Sequence, residues 1–501
     1  MARQLSKPRV FVLTSRIYET AGGRTKATIE RMMLLQKHFE TMLIEMSSTK
    51  YPGEELPAIF AKYHTEFAVT NPWMGSNRSS TTSTKNYLDY LKSRTGNLGE
   101  PKFFAGAQEN FALPTLTGGE IKAYVENGTI MRLREYHADG SVEFFALDAQ
   151  QNIFLRELYK QEVLLARCYL DDAGCVKAGF LVDKNGDKKF MYRQKSGHIV
   201  YSDDIDAHNG AFLNDILRAG DVVISDVRHY DAALAKLSPE IRKIHVWHET
   251  ATKLSGEGAI NPAYEKIVDP SFPISGSDKI IVFTDDAREE YTGNFPHLKD
   301  NFMVIPYGTD LKPTIEGVGR DKNLVISIGR LESAQKNVAA QIRAFAIFHK
   351  KYPEARMNIF GDGSEKDNLL ALVGALDLGD AVKFCGFSHN VDEEFQRAGM
   401  MVFSSNYETF GLTILESLSN GTPVVSYDVR FGAKTMIDNA QNGMTAKENT
   451  PKALAAAMVT LRNAKITPQQ VRDSIKDRFS RENFEAKWLA AISNDAEGEI
   501  T

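Results

Sequence analysis

The sequence predicts an α/β protein: two doubly wound parallel-sheet domains, with an antiparallel β-rich insertion in the first. Two observations lead to this. Short apolar runs, most followed by a loop or a helically periodic segment, recur in one series near the front of the chain and in a second series beyond residue 323. Between roughly 64 and 202 the pattern changes to aromatic-rich runs separated by Asp/Asn/Gly turn signals. The length of 501 residues agrees, since it exceeds what one hydrophobic core normally serves.

Taken in order, Arg-Val-Phe-Val-Leu-Thr at Arg9–Thr14 reads as a buried strand, and residues 25–39 carry helical periodicity after the linking Ala21-Gly22-Gly23-Arg24. Further buried strands are expected at 221–225, 243–247, 279–284 and 302–306, with Asp285-Asp286 opening a helix as its cap. The insertion is punctuated by His137-Ala138-Asp139-Gly140, Asp171-Asp172-Ala173-Gly174, Asp183-Lys184-Asn185-Gly186-Asp187 and Lys195-Ser196-Gly197, the turns of successive hairpins. The Asp183 turn superficially resembles a calcium loop, but Gln194 stands where such a loop needs a bidentate Glu. The second series of strands falls at 323–328, 357–360, 382–385, 400–404 and 423–427, with a helix over 337–350. The expected domains are 1–63 with 203–308, the insertion 64–202, a second α/β domain 309–480, and a C-terminal helix and tail 481–501 that cross back to the first domain.

Composition excludes several classes. Hydrophobic residues make up 43% and charged residues 25%, which suits a folded globular chain and argues against disorder. The net charge of -5 argues against a general nucleic-acid binder. Residues 1–50 nevertheless hold nine Lys and Arg against four Glu, a surplus of 9 − 4 = +5, so an anionic partner near this end is expected. Cys168, Cys175 and Cys385 show neither metal-ligand spacing nor a disulfide framework, which suits a reducing cytoplasm. The chain moves from Met1 straight into a strand, with no signal-peptide core and no apolar run as long as a membrane span. A cytoplasmic protein that touches a membrane surface at most peripherally is expected.

Two stretches carry chemistry. Leu-Val-Ile-Ser-Ile-Gly-Arg at 324–330 is a strand ending in Gly329-Arg330, followed by a loop with Lys336 just ahead of a helix. Cations at the C-terminal edge of a parallel sheet suit a diphosphate. Tyr-Glu-Thr-Phe-Gly-Leu-Thr-Ile-Leu-Glu at 407–416 places Glu408 and Glu416 with seven residues between them. A helix starting at Gly411 would present the backbone N–H groups of Gly411, Leu412 and Thr413 to an anion. Both carboxylates would frame that site, and a carboxylate there is useful when it accepts from sugar or ribose hydroxyls. A nucleotide-sugar fits.

With these motifs, the chain resembles a retaining glycosyltransferase of the GT-B fold, family 4. The resemblance rests on Gly329-Arg330 with Lys336, on Phe360-Gly361-Asp362-Gly363, on Cys385-Gly386-Phe387, and on the Glu408/Glu416 pair, with Gly22-Gly23 and His245-Val246-Trp247-His248 in the first domain. It implies that Arg330 and Lys336 neutralise the leaving nucleoside diphosphate, that Glu416 binds ribose and Glu408 the donor sugar, and that Gly386, Phe387 and the Gly411–Thr413 backbone complete the donor site. His248, with His245 as the alternative, would hydrogen-bond the transferred sugar; Gly22 and Gly23 would let backbone approach the diphosphate, with Arg24 and Lys26 as further contacts. No metal and no cofactor are implied beyond the UDP-sugar donor. Thr409 stands where the family has a small residue, which should matter little because Gly411 keeps the turn.

The β-rich insertion resembles that of bacterial α-glycosyltransferases acting on wall teichoic acid, poly(ribitol phosphate) or poly(glycerol phosphate), and of enzymes that modify Ser/Thr of serine-rich adhesins. The stretches 244–249 and 427–437 look closer to the teichoic acid group. A polyanionic acceptor would account for the basic surplus, with Arg16, Arg24, Lys26 and Arg31 flanking the cleft. The resemblance also implies a homo-oligomer, a trimer in the teichoic acid branch. The competing expectations are the Ser/Thr-directed enzyme and a non-catalytic acceptor-binding subunit.

Overall fold

A computed structural model describes residues 9–15, 23–46, 65, 68–71, 75–76, 102–103, 111–115, 119–126, 129–147, 153–170, 176–182, 188–195, 198–252, 259–388 and 390–493. Gly22, Arg16, the turns at 171–174, 183–187 and 196–197, and the tail beyond 493 lie outside the described residues. The chain packs as two units, 1–243 with 272–275 and 244–271 with 276–501; the division runs through the strand Arg242–Val246.

In the first unit the strand Arg9–Thr14 pairs in parallel with Glu40–Glu45 on one side and Val222–Ser225 on the other, and Glu40–Glu45 pairs with Ala68–Asn71. Near-continuous burial of the central strand is what a parallel sheet covered on both faces demands. Phe11, Leu13, Ile44 and Val223 pack against Phe212 and Leu213 of the helix Ile205–Ile216 and against Leu217 at its C-cap. The predicted helix at 25–39 is Gly23–Leu35; it opens inside the glycine linker and ends before Phe39.

The insertion is an antiparallel meander. Among the described residues ten strands from Lys102–Phe103 to His198–Ser202 lie side by side in chain order. Strand periodicity sends Phe144 and Ala146 into one apolar cluster and Phe145 and Leu147 into another, so both faces are covered.

In the second unit residues 244–246, the end of the divided strand, Lys279–Val282 and Phe302–Val304 are parallel neighbours. The strand expected to run to Thr284 stops two residues short because Thr284 caps the helix Asp285–Asn294, its Oγ1 accepting from Ala287 N at 3.2 Å. The cap is therefore Thr284, not the Asp285-Asp286 pair. Beyond residue 320 a six-stranded parallel sheet has the order Val382–Gly386, Arg356–Phe360, Asp321–Ile328, Ala398–Phe403, Val424–Ser426, Gly443–Thr445. The chain winds outward to one edge, returns to the centre and winds outward to the other. Its switch point lies between the C-terminal ends of Asp321–Ile328 and Ala398–Phe403, the place where such sheets bind ligands. Helices Val338–Lys351 and Pro451–Asn463 cover the sheet with Ile342, Phe345, Phe348, Leu454 and Met458, each buried apolar side chain contributing about 1.5–3 kcal/mol.

The helix Arg481–Ser493 buries Phe484 and Trp488, and Lys487 donates to the Val304 carbonyl at 3.4 Å. Gly308 has to be glycine here: a Cβ would stand 2.5 Å from the Phe484 Cβ.

Candidate functional site

At the switch point the chain leaves the Asp321–Ile328 strand through Gly329 and Arg330. The Gly-Asp-Gly motif is explained by the neighbouring strand end. Gly361 has φ +127° and a Cβ there would lie 1.9 Å from the Gly329 carbonyl oxygen, while one at Gly363 would lie 2.5 Å from that of Leu331. Only glycine permits this approach. The two loops are joined by Gly329 N to Phe360 O at 3.1 Å and Leu331 N to Asp362 O at 2.9 Å.

Two further loops meet across the switch point. Ser404, wholly buried, donates to the Asn337 carbonyl at 2.8 Å; Asn406 N donates to the Gln335 carbonyl at 2.8 Å, and the Asn406 amide to that of Ala334 at 3.0 Å. Asn337 caps its helix at φ +48°, a conformation unusual outside glycine, and its amide donates to the Asn406 side chain at 3.1 Å. This lattice sets Lys336 against Glu408: Nζ to Oε1 is 2.6 Å, with the ammonium also 5.5 Å from the centroid of the Phe403 ring. Lys336 retains 18% and Glu408 10% side-chain exposure, so the pair is sheltered but open to a ligand. The sequence used Ser404 and Asn337 only as strand and helix ends and passed over Asn406, because lone polar residues at such ends carry no signal of mutual contact.

Gly411 is the N-cap of the helix Leu412–Ser419, at φ +90°, where any side chain would be strained. Leu412 and Thr413 form its half-buried first turn, and Glu416, half-buried, lies four residues after Leu412 on the same helix face. Gly432, at φ +88°, brings the following loop against this turn, for a Cβ would be 1.8 Å from the Phe410 carbonyl oxygen. Arg330 is exposed and held by Glu332 at 3.0 Å and Gln335 at 3.1 Å. Gly386 ends its strand at φ +66°, accepting from Gly361 N at 2.8 Å, and Phe387 beside it is 79% exposed.

The two histidines separate. His245 is wholly buried within its strand, whereas His248 lies past the strand end, half-buried, with Nδ1 3.0 Å from the Tyr307 hydroxyl. Its backbone is tied to the Glu408 loop, because Thr409 Oγ1 donates to the His248 carbonyl at 3.0 Å. Thr409 thus does more than occupy the turn, for its hydroxyl has a partner that the sequence did not show. Tyr264 and Tyr291 brace the same loop through the backbone of Glu249 and Ala251. Arg430 adds a second tie, donating to Glu290 Oε2 at 2.8 Å and to Thr252 Oγ1 at 2.6 Å.

Gly23 and Arg24 open the helix Gly23–Leu35 in the first unit, with Lys26 partly exposed in its first turn. Arg31 does not offer its charge to a polyanion. It is 2% exposed and bound to Asp226 at 2.5 Å, with Thr28 donating to the same carboxylate oxygen at 2.7 Å; its helix face is turned inward. Among the described residues one trio, Glu135, His137 and Glu143 of the meander, has potential ligand atoms within 4.8 Å of one another, and Arg156 already donates to Glu143 at 2.6 Å.

Residues 310–478 match the family of glycosyl transferases group 1. The chain carries a group 1 glycosyl transferase domain. Lys336, Glu408 and the Leu412–Ser419 helix all lie inside this glycosyl transferase domain, and His248 meets it through Thr409. Over 444 residues the chain is 24% identical to the poly(glycerol-phosphate) alpha-glucosyltransferase of Bacillus subtilis strain 168, an alignment covering 82% of this chain and 63% of that protein. The chain thus spans less than two thirds of that relative's length. Among solved structures it is similar to a TarM variant from S. aureus in complex with Fondaparinux, alpha-GlcNAc-glycerol and UDP: TM-score 0.71, 15% identity, covering 97% of this chain and 99% of that one. It is also similar to the pneumococcal O-GlcNAc transferase GtfA in complex with UDP and GlcNAc: TM-score 0.77, 16% identity, with the same coverage. The fold is GT-B, with an antiparallel sheet inserted in its N-terminal half.

Proposed function

We propose that the protein is a retaining glycosyltransferase that moves a hexose or N-acetylhexosamine from a UDP-sugar to poly(ribitol phosphate) or poly(glycerol phosphate) wall teichoic acid, forming an α-linkage. The observation that carries the reading is the Lys336–Glu408 pair at 2.6 Å, set at the switch point ahead of a helix N-terminus. Lys336 and Arg330 take up charge on the departing diphosphate, a task in which one donor is worth about 3–4 kcal/mol of barrier. Glu408 has one oxygen on Lys336 and a second to accept from a sugar hydroxyl; Glu416 accepts from ribose. The Leu412–Ser419 helix dipole favours the diphosphate, and Phe387 offers a face to the uracil. Two cations suffice for the leaving group, so we propose that transfer needs no metal.

The acceptor assignment is supported by the likeness to the Bacillus subtilis enzyme. The likeness to GtfA favours a second reading, a UDP-sugar-dependent transferase acting on Ser/Thr of a serine-rich adhesin; its non-catalytic variant would bind acceptor without turnover. We further propose a cytoplasmic homo-oligomer, peripheral at the inner membrane face. No described helix is long and apolar enough to cross a membrane, and Cys168 and Cys385 are free.

The test offers radiolabelled UDP-glucose and UDP-N-acetylglucosamine with both polymers and a serine-rich polypeptide. Labelled polymer with an α-anomeric product is expected. Label on the polypeptide alone selects the second reading; no transfer from either donor overturns both transferase readings, and polypeptide bound without label then selects the non-catalytic variant.

A further inference from the structure

The His248 ring shares a hydrogen bond with a phenol that is packed among aromatic rings. Tyr307 lies just beyond the strand Phe302–Val304, its ring stacked on Phe283 at 4.5 Å and 21° and edge-on to Phe410 at 5.2 Å. Phe410 is 1% exposed and packs in turn on Phe479 at 5.9 Å, so the phenol is held by rings on both sides. Its hydroxyl is 3.0 Å from His248 Nδ1. A phenol O–H is a strong donor whose oxygen is a poor acceptor, because its lone pair is delocalised into the ring. An unprotonated imidazole nitrogen is a good acceptor. In neutral imidazole one nitrogen accepts while the other carries the proton.

We propose that Tyr307 and Thr409 are positioning residues for His248: Tyr307 donates to Nδ1 and so leaves the proton on Nε2, while Thr409 fastens the His248 carbonyl to the loop of Glu408. The proposal rests on the transferase reading above and on the expectation that His248 hydrogen-bonds the transferred sugar, and adds the direction of that contact. His248 offers the transferred sugar a donor, Nε2–H, and therefore selects a sugar oxygen acting as acceptor. The two hydroxyls act on different parts of one residue, Tyr307 on the ring and Thr409, 161 positions away in sequence, on the backbone. The Thr409 bond ties His248 to the same loop that presents Glu408 to Lys336.

The test uses the full chain with ¹⁵N-labelled histidine, the His248 signals being assigned by their loss in His248→Gln. Long-range ¹⁵N–¹H correlation is expected to show the Nε2–H tautomer in the wild type and a mixed or reversed tautomer in Tyr307→Phe. Turnover by Tyr307→Phe should fall about tenfold with the KM for UDP-sugar within about twofold, the scale of one lost neutral hydrogen bond. Thr409→Val should lower kcat about fivefold, and Thr409→Ser should restore it. An Nδ1–H tautomer in the wild type overturns the proposal, as do an unchanged tautomer and kcat in folded Tyr307→Phe. Should Tyr307→Phe not fold, the wild-type spectrum and the Thr409 pair decide. UDP binding and wild-type transfer are measured beside these. Their absence overturns the transferase reading while the spectrum still settles the tautomer; their presence with silent variants overturns the positioning role alone.

Discussion

Two buried carboxylates, one in the meander and one at the switch point, show how the same residue type serves different ends. Glu157 is wholly buried, and three donors from its own and the adjacent strand close on it: Arg167 Nε at 2.8 Å, Arg167 Nη2 at 2.6 Å and the Tyr159 hydroxyl at 3.0 Å. Burial, then the Glu157 charge, pushes the Tyr159 phenol up to about 12. Glu408 is 8% exposed and has Lys336 alone as its side-chain partner among the described residues, so part of its acceptor capacity is unused by side chains. A carboxylate saturated by fixed donors is part of the framework. One that is half-satisfied beside a partly exposed ammonium keeps acceptor capacity, which is what the proposed donor site would use.

The strongest challenge to that contrast is Arg167→Ala, which strands a buried charge. It should cost about 3–5 kcal/mol in urea denaturation while leaving UDP affinity as it was. Loss of UDP binding with little loss of stability would erase the distinction. At the other site Lys336→Ala or Glu408→Ala should lower turnover about 10²–10³-fold, roughly 3–4 kcal/mol, in protein that stays soluble and folded. Near-normal turnover would place the chemistry elsewhere.

A third buried ionisable group refines the rule. Burial, then Arg193 and Lys188, hold the His208 imidazole down to about 4 from an ordinary 6.5. Its folded value is depressed, so the unfolded chain binds the extra proton. Its contribution is present above pH 6.5 and is lost as pH falls towards 4, up to about 3 kcal/mol. Denaturation midpoints measured across that window should decline in the wild type and less in His208→Gln. The smallest effect expected is Phe387→Ala: a ring 79% exposed contributes nothing to folding, but its loss should weaken UDP binding by about 1–2 kcal/mol in calorimetry.

Strand centres were legible because period and apolar content survive any context; strand ends were not. The 279–284 run continues in composition past Val282, but Thr284 is used as a helix cap, and the 302–306 run stops at Val304, two residues before Pro306, which has no N–H to pair. In the other direction Ala398 and Gly399 extend their strand, because Gly399 lets it approach Lys322: a Cβ there would stand 2.8 Å from the Lys322 Cα. The basic surplus of the first fifty residues also misled in part. Arg9 and Arg31 are committed to Asp221 and Asp226, and residue counts do not distinguish a paired guanidinium from a free one.

Alone, the sequence determined the fold class and the run of parallel strands, since these follow from local periodicity, whereas the packed sheet showed why glycine stands at 361, 363 and 432. Tertiary structure decided which polar groups meet. Lys336 and Glu408 lie 72 positions apart, Thr409 and His248 161. Parallel strands buried on both faces gave no alternation from which to tell His245, sealed in its strand, from His248, presented beyond it. Such contacts are set by where the strands end relative to one another in the packed sheet, a property of the whole domain rather than of any segment.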